Sequence, residues 1–336
     1  DALSLLLSDH FADCLGPCRE ACPAGVDAQA YVALVSRGAY QEALDLIRAR
    51  NPLPLSIGRV CVRDCENACR RALEDEAVAI NMLKRFVADR AFADGPEGEL
   101  LPPPSGKRVA IVGGGPSGLT CAYYLKQKGH AITLYEKNPK LGGMLRYGIP
   151  EYRLPKATLD AEIDWLLSGG RIEVRTGVDL GKNLTLQDLR DEGYDAIYLA
   201  LGAWSASTMR LEGEGETEGV SLGIDFLARV AEGEITRLEG PAVIVGGGNT
   251  ALDAARTAIR LGASPVSIVY RRSIKEMPAH RDEVDAARHE GIQIHFLTNP
   301  VGLEREGNKL TGVVCIRMVL ADDPQGGRPR PVPQEG

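Results

Sequence analysis

The sequence carries no surplus of positive charge, no long apolar run and no basic-then-apolar leader, and each absence closes off a class of function. Lys and Arg number 39 against 46 Asp and Glu, a net charge of −7, so the chain as a whole is no polyanion binder and nucleic acid is not its expected partner. The longest uncharged run, Val109 to Leu125, is broken by Gly113, Gly114, Gly115, Pro116 and Gly118, which mark a turn between strand and helix. No membrane span is expected. With no export leader, the eight cysteines read as reduced thiols of a cytoplasmic protein and not as a disulfide framework. What remains is a chain of 336 residues, long enough for two or three domains with cores of their own.

Six of the eight cysteines fall within the first 69 residues, as Cys14, Cys18 and Cys22 in "CLGPCREACP" and Cys61, Cys65 and Cys69 in "CVRDCENAC". Three readings compete. A spacing of four lays small thiols along one helix face as core, but Gly16, Pro17 and Pro23 interrupt such a helix in the first triplet. Structural zinc pairs nearby cysteines and closes four ligands per ion, and six do not divide by four. Iron–sulfur clusters take thiolate runs ending in Cys-Pro, and the last thiolate of a run can ligate a different cluster. Iron–sulfur is the reading adopted. Around the cysteines, "DAQAYVALVSRGAYQEALDLIRAR" (27–50) reads as a helix behind Asp27, ended by "NPLPLSIG" (51–58), and "AVAINMLKRFVADRAFAD" (77–94) as another. A Pro- and Gly-rich linker, "GPEGELLPPPSG" (95–106), follows.

Beyond the linker the texture becomes strand, glycine turn, helix. In "KRVAIVGGGPSGLTCAYYLKQKGHAITLYEK" (107–137), Gly113 permits the tight turn, Gly115 lets backbone approach a pyrophosphate at the helix N-terminus, and Gly118 lets helix pack on sheet. Pro116 and Ser117 complete that loop; Glu136, followed by Lys137, ends the next strand, where a carboxylate accepts from a ribose. A second copy, "GPAVIVGGGNTALDAARTAIRLGASPVSIVYRRS" (240–273), has Gly246, Gly248, Asn249, Thr250 and Ala251 in its loop, but its second strand ends in Tyr270, Arg271 and Arg272. Positive charge there suits a ribose 2′-phosphate and favours NADP over NAD; the alternative is that both arginines are ordinary solvated side chains.

Two dinucleotide sites of opposite preference suit a flavin dinucleotide and a nicotinamide that meets it, with hydride transfer by positioning. The electrons then need an outlet. Two-Rossmann flavoenzymes of the thioredoxin-reductase type use a Cys-x-x-Cys near the nicotinamide domain, where this chain has only Cys315. The triplets are the remaining outlet, since iron–sulfur clusters carry single electrons.

Nearly the whole chain resembles the small subunit of glutamate synthase and its relatives, the N-terminal part of dihydropyrimidine dehydrogenase and the large subunit of ferredoxin:NADP transhydrogenase. The stretches that carry the resemblance are "GRVCVRDCENAC" (58–69), "VGGGPSGLTCAYYL" (112–125), "LGGMLRYGIPEYRLPK" (141–156), "YLALGAW" (198–204) and "VGGGNTALDAAR" (245–256), with "YRRS" and "EMPA" after them. It implies an α/β fold: a helical N-terminal iron–sulfur domain over 1–104, an FAD-binding Rossmann domain over 105–236 and an NAD(P)H-binding one over 237–336, inserted in the first. It also implies that Gly142, Gly143, Met144 and Arg146 lie along the flavin and that Ala200, Leu201 and Gly202 return the chain to the FAD sheet. Met277 and Pro278 would sit near the nicotinamide. In the family's arrangement Cys14 and Cys18 share a 4Fe–4S cluster with Cys69, while Cys22 joins Cys61 and Cys65.

Two departures stand against that pattern. Relatives have one more cysteine where this chain has Phe11, and several place an acid or amide ligand where it has Lys84, so one cluster or two remains open. Relatives also continue into an "AIGQ"-like strand and a "GGD" segment that the sequence lacks, so the FAD domain is expected to be incomplete in its C-terminal part. The expected function is an electron-transfer subunit. Hydride passes between NAD(P)H and FAD, in either direction, and single electrons pass through the clusters to a larger catalytic or electron-accepting subunit. No side chain need act as acid or base. The alternative is a non-catalytic, cofactor-bearing scaffold in a hydrogenase or formate dehydrogenase type complex.

Overall fold

A computed structural model describes residues 15–95 and 100–335. Cys14 lies outside the described residues. By internal contacts the chain forms two units, one comprising the chain up to Leu145 with Tyr152–Gly202, the other Arg146–Glu151 with Ala203–Gly336.

The first unit opens with helices α1 (Pro17–Glu20), α2 (Ala28–Ser36), α3 (Tyr40–Arg48), α4 (Pro54–Val60), α5 (Asp64–Asn67) and α6 (Ile80–Ala93). Asp27 caps α2 as expected, accepting from the Ala30 amide at 3.0 Å. The single helix expected over 27–50 is two, because Gly38 takes φ +75° and the amides of Gly38 and Ala39 fold back on the carbonyls of Val35 and Leu34 at 3.0 Å each. The preceding helix ends at Arg48, ahead of "NPLPLSIG" as expected, and within that stretch Pro54, with its fixed φ, starts α4. The core is small: Tyr31, Leu44, Ile47, Leu55, Val87 and Ala88, with Cys18 in it and Cys22 and Cys65 packed against it. The thiols are thus part of what this region folds around.

The unit continues with β1 (Arg108–Val112), α7 (Pro116–Lys126), β2 (Ala131–Glu136), α8 (Met144–Tyr147), α9 (Lys156–Leu167), β3 (Ile172–Thr176), α10 (Leu186–Asp191) and β4 (Ala196–Leu199). The strands form one parallel sheet in the order β3-β2-β1-β4. Val109, Ala110, Ile111 and Val112 of β1 are all buried, as a central parallel strand covered on both faces requires.

The second unit holds α11 (Gly223–Ala231) and a parallel sheet of β5 (Ala242–Val245), β6 (Val266–Tyr270) and β7 (Gln293–Phe296), with α12 (Asn249–Arg260) and α13 (Arg281–His289) between its strands. An ion-pair network ties the two helices: Arg256 pairs with Glu283 and, at 2.8 Å, with Glu290, while Arg260 meets Glu290 at 2.6 Å. An antiparallel sheet then follows, ordered β10-β9-β8, from β8 (Thr298–Glu306), β9 (Lys309–Ala321) and β10 (Arg330–Pro333).

Candidate functional site

The first glycine loop leaves β1 through Gly113 at φ +114°, left-handed backbone that glycine enters without penalty. A Cβ there would overlap the Ala200 carbonyl oxygen, and one at Gly118 would overlap the Gly113 carbonyl. Nothing but Gly143 approaches a Cβ built on Gly115, at 3.6 Å. The N-cap of α7, Gly115, has no side-chain partner and Pro116 supplies the first turn, so the amides there face outward, able to hold an anion. Buried Glu136 braces the loop from the end of β2: its carboxylate accepts from the Gly114 amide at 2.7 Å and the Asn138 amide at 2.9 Å. Gly142 donates to the Gly114 carbonyl at 2.8 Å, which brings Gly142 and Gly143 against the loop. Ala200 donates to Val112 at 2.7 Å, and Ser117 shares a hydrogen bond with Tyr198 at 2.9 Å. Lys137, Leu201 and Gly202 are exposed, Met144 starts α8, and buried Arg146 belongs to the second unit.

The second loop repeats the first with a different closure. Register pairs Val112 with Tyr135 and Val245 with Val269, so the structural counterpart of Glu136 is Tyr270. Its ring packs on Gly247, where a Cβ would lie 2.5 Å from it. Gly246 turns at φ +143°, Ala251 is buried behind it, and around Gly248, the uncapped N-cap of α12, nothing lies within 4 Å of a built Cβ. Asn249 accepts from the His280 amide at 3.1 Å, and Ala279 donates to the Gly247 carbonyl at 3.1 Å, so the segment after Met277 and Pro278 lies along the loop. Thr250 and Arg271 are exposed, and Arg272 is half-buried. Both loops leave a strand through a left-handed glycine and open a helix whose glycine N-cap has no side-chain partner.

Of the cysteines, Cys18 and Cys69 line one cavity of about 280 Å³, with Gly16, Pro17, Gln29 and Arg70 among its walls. Cys65 feels Cys61 and Cys22 electrostatically; burial first, then these neighbours and Glu66, push its thiol up to about 11, while the Lys84 charge pulls it down. Lys84 is itself buried. The Arg63 backbone sits at φ +65°, an orientation that costs an L-residue about 1–2 kcal/mol, and its amide donates to the Cys61 sulfur at 3.4 Å. Among the described residues no three His, Cys, Asp or Glu side chains converge on a single ion. A mononuclear site needs such convergence; a cluster needs thiolates spread around a void, each on a different iron. Cys18 and Cys69 are the two cysteines in the lining of the cavity described above.

Residues 107–322 match the family model described as pyridine nucleotide-disulphide oxidoreductase, and residues 11–96 match that of dihydropyrimidine dehydrogenase domain II, 4Fe-4S cluster. The chain belongs to the pyridine nucleotide-disulphide oxidoreductase family. The cofactor classes that the two family models indicate are a flavin with a pyridine nucleotide and a 4Fe–4S cluster. The chain is 41% identical over 344 residues to the NADP(+)-dependent formate dehydrogenase subunit beta of Moorella thermoacetica, a match covering 95% of the chain and 48% of that relative. It therefore spans about half the length of that protein. With the glutamate synthase (NADPH) small chain of Escherichia coli it is 34% identical over 339 residues, covering 96% of the chain and 71% of the relative. Mycobacterium tuberculosis FprA in complex with NADPH has the same fold at 18% identity, with a TM-score of 0.57 over 68% of this chain and 67% of that one.

Two residues of this oxidoreductase went unsignalled. Glu162, one of four charged residues in α9, is fully buried and accepts from the amides of Leu55 at 2.6 Å and Ser56 at 2.9 Å, so α9 caps the helix that leads into Cys61. Arg328, in the segment joining β9 to β10, reaches the Tyr270 hydroxyl at 3.1 Å. Neither has a spacing that reveals it, since the partners lie 106 and 107 residues away in the first case and 58 in the second. No described helix is long and apolar enough to cross a membrane.

Proposed function

We propose that this chain passes hydride between NADPH and FAD and single electrons between FAD and 4Fe–4S clusters, serving a larger subunit that supplies or consumes them. One observation carries the reading: two glycine loops of the same shape are closed by opposite chemistry, a buried carboxylate at Glu136 and an uncharged ring with two arginines at Tyr270 to Arg272. A carboxylate accepts from ribose hydroxyls, and a guanidinium pair receives a 2′-phosphate.

In this reading the modules run over 1–104, 105–236 and 237–336. Gly113, Gly115, Pro116, Ser117 and Gly118 hold the FAD pyrophosphate, Glu136 and Lys137 its ribose, and Gly142, Gly143, Met144, Arg146 and Ala200 to Gly202 the rest. Gly246, Gly248, Asn249, Thr250 and Ala251 hold the NADP pyrophosphate, with Arg271 and Arg272 on the 2′-phosphate. Cys14, Cys18, Cys22, Cys61, Cys65 and Cys69 are the thiolate ligands. When bound, the flavin supplies the exchange between a two-electron hydride and single electrons. The protein's part is to orient and to shield, with no acid or base required. The relatives' names, subunit beta and small chain, support a partner subunit. A reducing, cytoplasmic setting is part of this reading, because cysteines that serve as thiolate ligands must stay reduced.

The test is an anaerobic preparation assayed for iron, acid-labile sulfide and flavin, followed by NADPH-dependent bleaching of the flavin absorbance. Bound flavin, iron and sulfide together support the reading; stoichiometric zinc without iron, or a flavin that NADPH leaves oxidised, overturns it.

A further inference from the structure

The turn between β9 and β10 is built to deliver one side chain to the end of β6. Asp323 anchors it, accepting from the amides of Gln325 at 3.2 Å by its carboxylate and Gly326 at 2.9 Å by its carbonyl, and pairing with Arg330 at 2.9 Å. So fixed, the turn returns beside Arg272, whose Nε donates to the Pro329 carbonyl at 3.0 Å. The preceding residue, Arg328, donates from Nη2 to the Tyr270 hydroxyl at 3.1 Å. That hydroxyl in turn donates to the Glu276 carbonyl at 2.9 Å. Tyr270 therefore packs its ring on the glycine loop and holds a guanidinium with its hydroxyl.

The contacts of Arg272 with Pro329 and of Arg328 with Tyr270 bring two arginines to the end of β6, where the exposed Arg271 precedes Arg272 in the chain, and among the described residues none of the three forms an ion pair. Glu276, on the turn that follows, is engaged by the Ser273 amide at 3.1 Å and hydroxyl at 2.6 Å. Arginines held by neutral partners leave their charge for an anion, and a phosphate dianion can accept from more than one guanidinium fork.

We infer that Arg328 is a specificity-determining residue for 2′-phosphorylated nicotinamide dinucleotides, the third arm of a site whose first two are Arg271 and Arg272. The inference rests on the NADP reading above and adds to it a residue from outside the dinucleotide fold. Neutral Arg272-to-backbone and Arg328-to-phenol contacts orient the forks while leaving their outer N–H groups for the ligand.

The probes are 2′,5′-ADP and AMP, titrated by calorimetry into the flavin- and cluster-loaded protein, so that the readout does not depend on turnover. Arg328→Leu should weaken 2′,5′-ADP about tenfold to hundredfold, the range for losing a charge-assisted contact, and leave AMP within about twofold. Arg328→Lys, which keeps the charge and loses the fork, should fall between. If Arg328→Leu weakens both probes equally, or neither, while Arg271→Leu/Arg272→Leu still discriminates between them, Arg328 has no part in selectivity and the NADP reading stands. If no variant discriminates, both fall.

Discussion

Replacing Glu162 should change stability in a pH-dependent way that its geometry dictates. Helix α4 begins at Pro54, which has no amide hydrogen, and its N-cap Leu53 offers no side-chain acceptor. The next two amides, of Leu55 and Ser56, both donate to Glu162. Glu162→Ala orphans two buried donors at about 1–3 kcal/mol each, or about 2–6 kcal/mol in all. Glu162→Gln keeps one acceptor and should cost about 1–2 kcal/mol at pH 5. Charge adds a second signature. Burial raises the carboxyl from 4.5 to about 7, against the Ser56 and Leu55 donors and the Arg48 charge that pull it down. The native protein therefore holds this proton after the unfolded chain has released it, and stability falls as pH rises from about 4.5 to about 7. That gap corresponds to about 3 kcal/mol at ~1.4 kcal/mol per pH unit. Glu162→Gln lacks this loss, so it should match or exceed wild type by pH 8. The assay is urea denaturation of holoprotein followed by circular dichroism at pH 5, 6, 7 and 8. Identical pH slopes for wild type and Glu162→Gln would refute the reasoning, as would an alanine variant costing less than about 1 kcal/mol at pH 5.

Arg271→Leu/Arg272→Leu should raise KM for NADPH by about tenfold or more and spare NADH, since charge-assisted contacts to phosphate are worth ~1.5–3 kcal/mol; equal effects on both cofactors would make the pair structural. Gly118→Ala should abolish flavin retention on gel filtration, because its Cβ would overlap the Gly113 carbonyl; a flavin-replete variant would count against the loop. Cys65→Ser should lower iron content and Cys121→Ser should not, Cys121 lying within α7; parallel losses by metal analysis would contradict the assignment. Glu290, held down to about 2 first by Arg260, contributes stability that is present above its usual 4.5 and lost as pH falls from there towards 2. Glu290→Gln should abolish that acid-limb slope in a thermal melt, and an unchanged slope would sink the idea.

What could be read from the sequence is what local physics decides. Gly113 and Gly118 are forced by turn and packing within ten residues, and the exchange of Glu136 for Tyr270 follows strand register. The break at Gly38 was also local, yet the apolar periodicity continues across it and hid it. Glu162 was hidden for a different reason: one of three carboxylates in α9, it is set apart from Asp160 and Asp164 only by its distant partners. The same holds for Arg328, which resembles any arginine of a polar tail until β10 folds back on β9. The void between Cys18 and Cys69 is likewise a product of packing, though the thiols around it were plain.

The contrast between the two loops has a kinetic meaning. At Glu136 both carboxylate oxygens already brace the Gly114 and Asn138 amides, so the loop needs no incoming ligand to organise it. Little ordering entropy is then charged against binding, and in the proposed function that favours a cofactor with a long residence time. At Gly248 the surroundings are open, and the arginines beyond Tyr270 attract by charge at a distance. Charge attraction speeds arrival more than it slows departure, which suits a nucleotide that must leave after every turnover.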